Sequence, residues 1–141
     1  WQSYASDYRE FTAIAQKVPR GSLVMGVMVG AGHHETEVPR CEMYAPLLIA
    51  QHDQIAPLFA FQGQHPLLLR GPLKEATGRL ERAERVPYAN ATDYGPYMTA
   101  AGNAGFEYLL VCNAHLLQRP VPPHLDVVAR TAHFMLLRAG H

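Results

Sequence analysis

The run Tyr108-Leu109-Leu110-Val111-Cys112, cut off by the polar Asn113, constrains this 141-residue chain more than any other stretch. Apolar, mostly β-favouring residues without alternation are the pattern of a strand buried on both faces. Such a strand needs a neighbour on each side and a covering layer on each face. It therefore reads as the central strand of a small α/β domain, with Asn113-Ala114-His115 as the loop at its carboxyl end.

The preceding segments supply the other parts of such a domain. Tyr4 to Lys17 reads as an amphipathic helix, with Tyr4, Tyr8, Phe11, Ile14 and Ala15 on its apolar side and Asp7, Arg9, Glu10 and Lys17 opposite. Pro19 and Gly21 end it. Leu23 to Val29 is a second continuous apolar run and a second buried strand, followed by the loop Gly30-Ala31-Gly32-His33-His34-Glu35. Tyr44 to Gln51 fits a short helix or a strand, because a short apolar run has no decisive period. Ile55 to Phe61 reads as extended, Gln62 to Pro66 as a turn and Leu67 to Leu69 as a short strand. Leu73 to Glu84 carries a weak helical pattern, and Tyr97 to Ala104 a short helix feeding the central strand. The tyrosines Tyr88, Tyr94 and Tyr97 are expected to pin the broken segment between these helices to the core. Leu125 to Ala132 reads as a brief helix or turn, and His133 to Arg138 as a closing strand at a sheet edge. The expected fold is one α/β domain over residues 1–141, a three-layer sandwich with a mostly parallel, Rossmann-like small sheet and an antiparallel edge strand.

Composition narrows the partners. Twelve basic residues balance twelve acidic ones, so the chain has no electrostatic footprint for nucleic acid, and none is expected as a partner. The apolar runs are far shorter than the roughly 18 residues that a membrane span needs. The chain begins at Trp1 and not Met, and reads as a piece of a larger protein. Its two cysteines, Cys41 and Cys112, either form one disulfide in an oxidising compartment or remain buried thiols. The position of Cys112 within the apolar strand favours the thiol.

Five short pieces in order carry a resemblance to a known family. They are Val18 to Ser22, Ala45 to Phe59, Gly63 to Pro66, Phe106 to Val111 and Phe134 to Arg138. In this order they resemble the soluble C-terminal domain of bacterial polytopic membrane proteins of the glycosyltransferase-like, dolichol-phosphate-mannose-mannosyltransferase-related kind. The resemblance implies an extracytoplasmic domain on the periplasmic side of the inner membrane. Its partners would be the membrane part of the parent chain and a glycan or lipid-linked sugar. It also implies a binding or regulatory role without catalysis in the domain itself, the parent being the glycosyltransferase. The loop His33-His34-Glu35 departs from the family pattern, and Asn113-Ala114-His115 matches no catalytic motif of those transferases, so no active-site residue carries over.

Two loops at the carboxyl ends of strands are the candidate ligand site: His33, His34 and Glu35 after the first, Asn113 and His115 after the second. Open α/β sheets bind ligands at this end. Imidazoles and a carboxylate there suit a divalent metal, with His33, His115 and Glu35 as the candidate ligands, although solvated loop histidines and no cofactor are the simpler expectation. Glu35 stands where a dinucleotide fingerprint needs its third glycine, and its charge would repel a phosphate. No serine lies in a nucleophile elbow. The competing functional class is a stand-alone α/β ligand- or metal-binding domain or hydrolase built on these two loops.

Overall fold

A computed structural model describes residues 2–30, 55–56, 71–83 and 93–140 of the chain. The elements are α1 (Gln2–Ala15), β1 (Val24–Met28), β2 (Ile55–Ala56), α2 (Gly71–Ala83), α3 (Gly95–Ala104), β3 (Tyr108–Cys112), β4 (Leu125–Arg130) and β5 (Phe134–Ala139), with a 3₁₀ turn at Ala114–Leu116 between β3 and β4. The expected elements at Tyr44 to Gln51 and Leu67 to Leu69, and the turn between Gln62 and Pro66, lie outside the described residues, as do residues 57–61 of the extended stretch.

The fold is α/β, and its sheet is mixed. The described strands form one five-stranded sheet in the order β2-β1-β3-β5-β4. β2, β1 and β3 run parallel, whereas β5 is antiparallel to both β3 and β4. β3 is the central strand, as its composition requires. In register, Met25 faces Leu109 and Val27 faces Val111 on one side, and Leu109 faces Leu137 on the other.

Side chains of a strand alternate between faces, so each inner strand contributes to two separate cores. One face carries Val24, Leu110, Cys112, Phe134 and Leu136 against Phe11, Ile14, Ala15 and Val18 of α1 and its C-terminal turn. The other carries Met25, Val27, Leu109, Val111, Met135 and Leu137 against Ala76 and Leu80 of α2 and Tyr97, Met98 and Ala101 of α3. Phe11 and Phe134 meet edge to face with ring centroids 5.8 Å apart, a favoured aromatic geometry.

The passage from α3 into β3 is set by Gly105. Its φ of 111° ends the helix in a left-handed cap, and Gly105 N–H and Phe106 N–H donate to the carbonyls of Gly102 and Ala101. That is a Schellman pattern, which satisfies carbonyls that the helix itself leaves open. Arg79 Nε donates to Ala104 O at 2.7 Å and ties α2 to the same end. A Cβ on Gly105 would lie 3.0 Å from the mobile end of Arg79, Nη2, so it is the left-handed conformation rather than space that demands glycine there.

Four expectations are corrected. The stretch from Leu125 is the strand β4 and not a brief helix or turn. Its side chains are largely exposed and it is the outermost strand, so backbone pairing with β5 holds it rather than burial. The closing strand β5 is correspondingly interior and not at the edge, and its residues Phe134 to Leu137 are all buried. The sheet is half parallel and half antiparallel rather than mostly parallel. On α1, Tyr8 is 48% exposed while Asp7 is buried at 6%, so the inward stripe is Asp7, Phe11, Ile14, Ala15 and Val18. Tyr94 and Tyr97 are buried as anchors, as expected; Tyr88 lies outside the described residues.

Phe106 is fully buried between the two helices and the sheet, whereas Val127 is 54% exposed on β4. Phe106→Ala is expected to cost about 3–5 kcal/mol and Val127→Ala no more than about 0.5 kcal/mol, read from urea unfolding midpoints.

Candidate functional site

The carboxyl ends of β1 and β3 and the start of β5 meet at one end of the sheet. In a 2-1-3 order the chain leaves β1 for the strand on one side and returns to the strand on the other. The gap between β1 and β3 is therefore the switch point of the parallel half. Three hydrogen bonds close that end. Gly30 N–H donates to the Tyr94 hydroxyl at 3.1 Å. Asn113 Nδ2 donates to Val29 O at 3.3 Å. Ala114 N–H donates to His133 O at 2.8 Å.

Asn113 adopts the left-handed conformation, φ 56° and ψ 42°, the only residue other than glycine with positive φ among the described residues. Asparagine tolerates this conformation better than most residues. The side chain is buried at 3% exposure, and its Oδ1 has no hydrogen-bond partner among the described residues. A buried acceptor without a donor is costly, and a ligand N–H or O–H would satisfy it.

A second group lies beside it. Because α1 is followed by a tight turn and then β1, the N-terminal half of α1 lies toward the carboxyl ends of the strands. From there Asp7 and Glu10, three residues apart and so on one helix face, converge with His133 from the loop before β5. Glu10 Oε1 is 2.9 Å from His133 Nδ1, and Glu10 Oε2 accepts from His133 N–H at 3.0 Å. A carboxylate only accepts, so Nδ1 carries the proton in this pair. Asp7 Oδ1 is 3.7 Å from the same Nδ1, beyond hydrogen-bond length. His115, in the 3₁₀ turn after β3, meets the His133 ring edge-on with centroids 5.0 Å apart. Burial works to raise the Glu10 carboxyl, but hydrogen bonds from the Thr131 side chain and from the ring and backbone of His133, with the charge of His133, outweigh it and hold the carboxyl below its ordinary value. Burial pushes the Tyr97 phenol up.

The residues expected at the site divide. Asn113 and His115 are placed at the carboxyl end of β3; the first is buried in the switch point and the second is exposed beside His133. His33, His34 and Glu35 lie outside the described residues. Asp7, Glu10 and His133 form a group that could hold a metal ion, and sequence reasoning did not join them. The available signal was the spacing of Asp7 on the stripe that continues through Phe11 and Ile14, which puts a carboxylate at an inward position.

Among the described residues Cys112 is disulfide-bonded, and none of them is a free cysteine. The expectation of a buried thiol is thereby corrected: burial of the strand position is compatible with either state, so composition could not decide. Among the described residues no helix is long and apolar enough to cross a membrane.

Two outcomes follow from this geometry. Glu10 has a folded value lowered from 4.5, so its contribution is fully present above pH 4.5 and is lost as pH falls through the lower folded value. The melting-temperature advantage of wild type over Glu10→Gln is expected to shrink as pH falls below 4.5. Asn113→Ala loses the bond to Val29 and strains the backbone, and is expected to destabilise by about 1–3 kcal/mol in denaturant melts. Asn113→Gly, which relieves the conformation and removes the unpartnered acceptor, is expected to cost less.

Comparison of the chain with family models, curated proteins and solved structures returns no match.

Proposed function

We propose that this chain is the extracytoplasmic binding domain of a bacterial polytopic membrane protein of glycosyltransferase-like kind, on the periplasmic side of the inner membrane, with a three-layer, Rossmann-like architecture. The disulfide at Cys112 carries this reading. Disulfides persist in oxidising compartments and are rare in the bacterial cytoplasm, so a bonded sulfur in the central strand is consistent with a domain that folds outside it. The ordered resemblance of five short pieces supplies the parent, and the partners it implies are the membrane part of that chain and a glycan or lipid-linked sugar. The role is binding or regulation, with the chemistry in the parent.

A second reading has its own support. The switch point between β1 and β3, with the unpartnered Oδ1 of Asn113, suits a stand-alone α/β ligand- or metal-binding domain or hydrolase. A divalent cation is one ligand for either reading, at Asp7, Glu10 and His133.

The cysteine state in the producing cell tests the proposal. Thiol alkylation under denaturing conditions, immediately after lysis into the reagent, is expected to leave Cys112 unmodified, and reduction is expected to lower stability by about 2–4 kcal/mol. A fully alkylated protein that melts identically with and without reductant would overturn the extracytoplasmic assignment. Membrane fractionation of the native protein separates the two readings: sedimentation with the membrane, with protease access from the periplasmic side, is expected for the first, and recovery in the soluble fraction for the second.

A further inference from the structure

Asp7, Glu10 and His133 present two carboxylate oxygens and one imidazole nitrogen from two separate parts of the chain, all within 4.8 Å of one another. Ligands about 2.1 Å from a zinc-type ion and arranged tetrahedrally lie about 3.4 Å apart. The distances from His133 Nδ1, 2.9 Å to Glu10 and 3.7 Å to Asp7, bracket that value. The carboxylates are held in place: Asp7 is 6% exposed, and Glu10 is fixed through its second oxygen by the backbone of His133. The proton on His133 Nδ1 bonds Glu10 but leaves Asp7 beyond hydrogen-bond reach. A cation in its place would reach both oxygens.

A second imidazole stands next to this group. His115 belongs to a different element, the 3₁₀ turn, and its ring lies perpendicular to that of His133, with an angle of 87° between planes. The group itself, one imidazole and two carboxylates, is a mixed nitrogen and oxygen set that matches a divalent transition cation rather than the all-oxygen shells of calcium or magnesium.

We propose that Asp7, Glu10 and His133 form a three-donor binding site for a divalent cation of the zinc type at the carboxyl end of the sheet, with solvent completing the shell. Binding replaces the Nδ1 proton of His133, which leaves to solvent or moves to Nε2 as the ring changes tautomer. The cation then clamps α1 to the loop before β5. This site does not depend on the compartment of the protein: cysteine alkylation tests that reading, and cation binding tests this one.

The test is a titration of chelator-stripped, disulfide-intact protein with cobalt(II), followed by visible absorption, then zinc displacement and thermal melting. One equivalent is expected to bind, with the ligand-field absorption of a low-coordinate site and a raised melting temperature. Asp7→Asn, Glu10→Gln and His133→Gln are each expected to weaken binding at least tenfold, while His33→Ala/His34→Ala leaves it unchanged. Asp7→Asn keeps the shape of the side chain and leaves the Glu10–His133 bonds in place, so it decides the matter if another variant fails to fold. Wild-type protein that gives neither absorption nor a melting shift with millimolar cation would falsify the proposal, as would binding that survives Asp7→Asn but is lost in His33→Ala/His34→Ala.

Discussion

A strand with no exposed face must satisfy two cores at once, and the rest of this fold follows from that demand on β3. Leu109 and Val111 need one apolar layer and Leu110 and Cys112 another, because successive side chains point in opposite directions. Each fully buried aliphatic side chain contributes about 1.5–3 kcal/mol only if both layers are present. The helix α1 provides one and the pair α2 and α3 the other. A one-residue slip of β3 would exchange the two sets, so the register with β1 and β5 is fixed from both faces together.

Much of this was legible in the residues. The buried strands at Val24–Met28 and Tyr108–Cys112 announce themselves by unbroken apolar runs, and α1 by its periodicity and its punctuation with Pro19. The hairpin was less readable for a physical reason. β4 contains Val127 and Val128, which favour a strand, but it buries little, and an irregularity between Val127 and Ala129 breaks its alternation. Without β4 as a strand, β5 reads as an edge strand, although its own composition is that of an interior one.

The site was legible only in part, because its members come from opposite ends of the chain. Asn113 and His115 stood out at the end of an obvious strand. Glu10 and His133 are 123 residues apart, and neither belongs to a motif. Only the folded geometry, in which the start of α1 lies over the strand ends, joins them. Asp7 was assigned to the polar side because charge is a good guide to exposure, and the exceptions to that rule are paired or functional groups.

The order β2-β1-β3-β5-β4 also dictates how unevenly the chain assembles. β3, β4 and β5 occupy one continuous stretch, and their antiparallel pairing closes short loops. The seam between β1 and β3 joins residues such as Leu23 and Glu107, 84 positions apart. Closing a loop of that length costs about 4 kcal/mol of chain entropy before any contact repays it. Contacts across such separations form slowly. By sequence separation alone the C-terminal hairpin is the part expected to assemble first, and the β1–β3 seam the part expected to close later. The joint between α1 and His133 spans an even longer separation, 123 residues, and belongs with that later seam.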